Sequence, residues 1–97
     1  MYISILTGRV SKENWGVLQQ SFALAIHRPP EGLTQSILVQ CNEDSSLWQI
    51  ISFWHNEDAY RRAKAHGAAD ICVNLFCETG SIPERKTYLT RERYTRV

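Results

Sequence analysis

Ninety-seven residues with a formal net charge of +1 are enough for one core-forming domain, and they project no broad field for capturing a polyanion. A hydrophobic fraction of 43% against 22% charged residues excludes a disordered chain, and no run approaches the ~18 apolar residues of a membrane span. Neither nucleic acid nor a membrane is therefore expected as a partner.

Met1-Tyr2-Ile3-Ser4 has no basic region ahead of a long apolar one, and Arg9 interrupts the run early, so a cytoplasmic protein is expected. Cys41, Cys72 and Cys77 are odd in number and fit no zinc spacing, which predicts buried, reduced thiols and no metal centre. Arg85, Lys86, Arg91, Arg93 and Arg96 crowd the last thirteen residues against Glu92, and read as a solvated strand edge.

Residues 2 to 10 are β-branched and apolar and read as a first strand, with Gly8 marking a bulge or a close approach. Ser11 offers an N-cap. Trp15, Leu18, Phe22 and Ala25/Ile26 then build one stripe on a helix of about residues 12 to 27, which Pro29-Pro30 ends. Residues 34 to 42 form a second strand, with Ile37, Val39 and Cys41 on one face and Leu38 on the other.

The polar cluster from Asn42 to Ser46 is short enough to return the chain antiparallel. The strand that follows is apolar on both faces: Leu47, Ile51 and Phe53 alternate with Trp48, Ile50 and Trp54. A helix can shield only one face, so the other calls for a further layer, most simply a second copy with an enclosed space between the two sheets. Asn56 is a good N-cap, Glu57 and Asp58 suit the first turn, Arg61, Arg62 and Lys64 come later, and Gly67 is the stop. Ala68 to Cys77 gives a short extra helix, Thr79 to Pro83 a loop, and residues 86 to 95 a last strand.

The order βαββα(α)β in a single domain predicts an α+β, ferredoxin-like antiparallel four-stranded sheet with helices on one face. Which apolar sets face the helices stays open: Tyr2/Leu6 or Ile3/Ile5, and Trp48/Ile50/Trp54 or Leu47/Ile51/Phe53.

In element order and length, and in the run Ile50-Ile-Ser-Phe-Trp-His-Asn-Glu-Asp-Ala-Tyr60, the chain resembles the antibiotic biosynthesis monooxygenase (ABM) domain family of dimeric α+β barrels. The resemblance implies a homodimer. It also implies a cofactor-independent monooxygenase acting on a small apolar or aromatic molecule such as a quinol, an anthrone or a polyketide-like compound. Relatives of that kind use a Trp at the end of the third strand and a Tyr six residues later, and Trp54 and Tyr60 fall at that spacing. They also place an Asn four residues before the Trp, where this chain has Ile50, which cannot hydrogen-bond a substrate hydroxyl or oxyanion.

The alternatives are a non-catalytic small-ligand or accessory barrel, and a haem-binding or haem-degrading protein. Haem-degrading relatives carry an Asn in the first strand, a further Trp and a ligating His, yet this chain has no Asn between Tyr2 and Val10, and has Ala63 and Val73 near the other two positions.

Among the titratable groups, His66 follows Tyr60 by six residues and is the candidate base for a phenolic proton, with a helix cap as its simpler role. His27 reads as closing the first helix and His55 as exposed. Arg9 and Arg91, on the first and last strands, are candidates to project inward and hold an anionic or phenolate substrate, with outward solvation as the simpler role of either. The site expected is Trp54 as wall, Tyr60 as hydrogen-bonding partner and His66 as base, with no cofactor.

Overall fold

A computed structural model describes residues 1–96. Its four strands, β1 (Tyr2–Arg9), β2 (Leu33–Gln40), β3 (Leu47–Trp54) and β4 (Glu84–Leu89), form one antiparallel sheet in the order β2-β3-β1-β4. Three helices, α1 (Trp15–Ala25), α2 (Glu57–Ala65) and α3 (Ile71–Glu78), complete the α+β plan expected from the sequence. No described helix is long and apolar enough to cross a membrane.

The alternation in β3 resolves the choice of faces. Trp48, Ile50, Ser52 and Trp54 are buried while Leu47, Gln49, Ile51 and Phe53 are half-buried, so the tryptophan side of the pleat carries the helices. In register beside it, β1 contributes Leu6, which joins Ile50, Trp48, Val10, Leu18, Phe22, Leu75 and Phe76 in the principal core. A second cluster at the other end of the sheet holds Trp54, Tyr60 and Ala63.

On the opposite face Ile37, Ile51 and Ile5 line up across three strands, flanked by Phe53 and Ile3, and no element among the described residues covers them. On the helix face, near the end of β1, Gly8 lies where an added Cβ would stand 2.7 Å from Phe76 Cδ1 and 2.9 Å from Ser81 Oγ, so the close approach expected there is what the position requires.

Several boundaries differ from expectation, each for a local reason. Residues 12 to 14 form a short 3-10 turn before α1, and the Ser11 side chain makes no cap bond to that turn's backbone. Instead Ser11 O accepts from Asn14 N (2.9 Å) and its hydroxyl from Asn14 Nδ2 (3.3 Å). α1 stops at Ala25, ahead of Pro29, so His27 is an exposed turn residue whose N–H bonds Leu24 O at 3.3 Å. β2 starts at Leu33 through a bulge and ends at Gln40 rather than Asn42.

β4 runs from residue 84 to 89 rather than 86 to 95, because its partner β1 begins at Tyr2, opposite Leu89, and offers nothing further to pair with than Met1 O, which accepts from Thr90 N at 3.1 Å. Arg91 therefore lies beyond the sheet. The cysteines are free, but Cys77 is exposed and Cys41 and Cys72 only half-buried.

The helix after β3 starts as read. Asn56 Oδ1 accepts from Ala59 N at 2.8 Å, Glu57 and Asp58 occupy the first turn, Arg61 bonds Glu57 at 2.6 Å, and Gly67 leaves the helix at φ 78°. α2 also pins the entry to β2: Gly32 sits at φ 87° with any Cβ 2.5 Å from that of Ala59, so both conformation and space demand glycine.

Arg9 does not point inward. It is exposed and pairs with Asp44 in the β2–β3 turn, where it also donates to Ser46 Oγ at 3.0 Å. That guanidinium, and then the Ser46 hydroxyl, hold the Asp44 carboxyl below its ordinary value of 3.8. A depressed folded-state pKa contributes stability above the unfolded value, and the contribution is lost as pH falls through the folded one. The stability gap between the native chain and Asp44→Asn is thus expected to shrink steadily below about pH 4, as read by urea midpoints along a pH series. A gap independent of pH there would show that the pair does not form in solution.

Candidate functional site

A cleft opens on the helix side of the sheet, between β1, β2 and β3 beneath and the α1–β2 connection and the start of α3 above. Leu6, Ser52 and Trp54 form its buried floor, and Ile26, Arg28, Pro29 and Ile71 its exposed mouth. Its cavity volume is about 40 Å³, open to solvent at the mouth. Such a slot is narrow, with room as it stands for only the edge of a flat ring, and its lining is mostly apolar, which disfavours a charged body. The cleft belongs to one chain, so it is not the chamber between two sheets that the sequence suggested.

Trp54 is 3% exposed, and its indole is fixed by two neighbours. Its Nε1–H donates to Ser4 Oγ at 3.0 Å, and Tyr60 packs edge-on at 5.5 Å between ring centroids, with Tyr2 beyond at 5.3 Å from Tyr60. With its only polar hydrogen committed to Ser4, Trp54 offers a ligand a flat wall and no hydrogen bond.

Tyr60 stands behind that wall rather than in the cleft, lining a separate hollow with Tyr2, Arg61, Lys64 and Arg85. Its hydroxyl is buried and has no hydrogen-bond partner among the described residues. Burial pushes its pKa above 10.0, against the opposing field of Arg85. Arg85 donates through Nη2 to Asp70 Oδ1 at 2.7 Å and to Ala69 O at 3.2 Å, which anchors its charge beside the phenol. At neutral pH Tyr60 is consequently a phenol with a hydrogen to donate and not a base.

His66 is the C-cap of α2, where its N–H bonds Arg62 O at 3.2 Å. Its side chain lines a third hollow with Glu31, Arg62 and Ala63, which shares only Pro30 and Ala68 with the cleft. The structure thus brings Trp54 and Tyr60 together and leaves His66 across a rim. Cys72 does line the cleft, but burial raises its pKa above 9.0, so it is a neutral thiol there. For haem the residues do not fit: Ala63 and Val73 are packed against core clusters and offer no ligand atom.

Sequence reading missed the polar part of the floor. Ser36, Ser52, Ser4 and Thr87 occupy one register row across all four strands, on the helix side. Ser36 Oγ and Ser52 Oγ are 2.9 Å apart and both line the cleft. Each serine alone reads as an ordinary strand residue, and only the register joins them.

Comparison with solved structures gives this fold a setting. A candidate antibiotic biosynthesis monooxygenase from Deinococcus radiodurans is similar over 100% of this chain and 99% of its own, at 18% identity and a TM-score of 0.78. SnoaB, a cofactor-independent oxygenase from Streptomyces nogalater, is similar over 95% of both chains at 19% identity and a TM-score of 0.70. A candidate antibiotic biosynthesis monooxygenase from Nitrosomonas europaea covers 97% of this chain with all of its own, at 12% identity and a TM-score of 0.65. No family model and no curated protein matches the sequence. At these identities the likeness concerns the fold, and at that level the resemblance carried by Ile50 to Tyr60 holds.

Proposed function

We propose that the protein is a cofactor-independent monooxygenase for a small, flat aromatic substrate of the quinol or anthrone kind. The observation that carries this reading is the narrow apolar slot walled by Trp54, in a fold shared with an oxygenase of that type. In such a site the substrate itself is the reductant. Loss of a proton from an electron-rich phenolic ring leaves a carbanion-like anion that passes electrons to O2 and takes up one oxygen atom, while the other leaves as water.

The protein supplies desolvation, shape and a base. Trp54 holds the ring, and Tyr60, kept protonated by burial, buttresses Trp54 and has a hydroxyl hydrogen free for a ligand that displaces the ring packing. His66, in the neighbouring hollow, would take the proton through water bridging the Pro30–Ala68 rim. The uncovered sheet face is closed by a second copy, giving a homodimer with one cleft per chain.

Oxygen consumption with a panel of anthrones and quinols tests the assignment. Trp54→Ala is expected to lower turnover about 100-fold through lost ring placement. Tyr60→Phe is expected to lower it less while raising thermal stability, since it deletes a buried hydroxyl that has no partner. Uptake unaffected by either change rejects both roles. Ile50 and the distance of His66 from the slot favour a second reading, a barrel that binds aromatic ligands without turning them over. Saturable binding with no oxygen uptake across the panel would select it.

A further inference from the structure

The slot has a polar floor and a charged mouth, and together they specify more of the ligand than its flatness does. Ser36 and Ser52 share one hydrogen bond in which either oxygen can donate, and neither hydroxyl has another side-chain partner among the described residues. Two hydroxyls carry two hydrogens, and the bond between them uses one. The other remains available at the bottom of a cleft whose remaining floor, Leu6 and Trp54, offers no hydrogen-bonding group, because the Trp54 N–H is spent on Ser4. A hydrogen-bonding group on a desolvated apolar floor discriminates strongly between ligands that match it and ligands that do not.

The pair has a further property. If Ser36 donates to Ser52, the hydrogen of Ser52 is free, and the reverse arrangement frees that of Ser36. The same pair can therefore accept from a phenol O–H or donate to a phenolate or carbonyl oxygen without moving a heavy atom. A substrate whose oxygen passes from hydroxyl to anion to carbonyl needs that range.

At the mouth, Arg28 is exposed and forms no ion pair among the described residues, and no carboxylate lines the cleft to compete for it. A guanidinium beside an apolar slot favours an acidic group on the outer end of whatever the slot holds.

The geometry points to Ser36 and Ser52 as the anchor for a ligand oxygen and to Arg28 as the anchor for an acidic group, so that the ligand class is a flat hydroxyaromatic acid with its two polar groups at opposite ends. The inference rests on the reading of the cleft as the substrate site and assigns that site its polar contacts.

Calorimetric titration of the full chain near pH 7 with three naphthalene probes tests it. The probe 6-hydroxy-2-naphthoate carries both groups, 2-naphthoate lacks the hydroxyl, and 2-naphthol lacks the carboxylate. The hydroxy acid is expected to bind about tenfold more tightly than either single-group probe. In the Ser36→Ala/Ser52→Ala double variant, the hydroxy acid should fall to the affinity of 2-naphthoate, with 2-naphthoate itself unchanged. In Arg28→Gln it should fall to that of 2-naphthol, with 2-naphthol unchanged.

The probe missing the relevant group reports any structural damage, so an equal loss for 2-naphthoate in the serine variant overturns the anchor. So does a native protein that binds the hydroxy acid and 2-naphthoate alike, although binding of both would leave the cleft reading intact. Failure of all three probes to bind the native chain overturns the anchor and the cleft reading together.

Discussion

Phe76→Ala is expected to remove about 3–5 kcal/mol of folding stability, a large share of the roughly 5–15 kcal/mol that holds a domain together. Phe76 is 0% exposed and sits where α3 crosses β1. Its ring lies directly over Gly8, so the sheet itself forms one wall of its pocket, and Leu18, Leu75 and Trp48 belong to the same core cluster. Strand backbone cannot collapse into the vacated space as a flexible side chain would, which places the loss towards the upper end of that range.

The substitution also isolates packing from hydrogen bonding. Phe76 O, which accepts from Thr79 N at 3.0 Å, Thr79 Oγ1 at 2.7 Å and Ser81 N at 3.1 Å to close the loop before β4, is backbone and survives the change. Urea denaturation should show a lower midpoint with an unchanged slope. A loss under about 1 kcal/mol would mean that the contact of α3 with β1 is not maintained in solution.

What the sequence disclosed and what it withheld divide along a physical line. Local chemistry was legible where one residue type does one job. Asn56 caps α2, Gly67 ends it, Gly8 admits Phe76, and the Leu18/Phe22 stripe turns inward. The two-sided pattern of β3 revealed that both faces are apolar, but not which one carries helices, because that depends on which way the chain crosses over after β1 and β3.

Features produced by pairing between distant strands were hidden. β4 stops at Leu89 because β1 starts at Tyr2, a fact of register and not of the residues from Thr90 onward, whose alternation is of charge. The hydroxyl row of Ser36, Ser52 and Ser4 exists only once three strands are aligned. In the site, Trp54 and Tyr60 pack together because the first turn of α2 folds back on the strand end. The reach of His66 did not follow from spacing, because the helix that carries it ends on the far side of Pro30 and Ala68.

The largest effect on assembly should come from the centre of the uncovered face. Ile51 lies between Ile37 and Ile5 in one row, with Phe53 and Ile3 in the next, so it occupies the middle of the apolar patch rather than its rim. A stable interface buries roughly 800 Å² per partner and leaves charges out of its core, which the face of a four-stranded sheet can satisfy. Two copies packed through this face would shield the five side chains from water at ~25 cal/mol per Å² and leave both clefts, on the opposite side of each sheet, open to solvent.

An aspartate at position 51 would then meet its symmetry mate across the two-fold with no cation in the row except Lys86 at the sheet edge. Light scattering is expected to give about twice the 11.2 kDa chain mass for the native protein and the single-chain mass for Ile51→Asp. Ile82→Asp is the control: that residue is 92% exposed and lies in the loop before β4, outside the strand rows that form the patch, so its replacement should leave the mass unchanged. A native protein of single-chain mass rejects the dimer outright. A dimer that survives Ile51→Asp moves the interface elsewhere, and in both cases the cleft, built within one chain, keeps its tests.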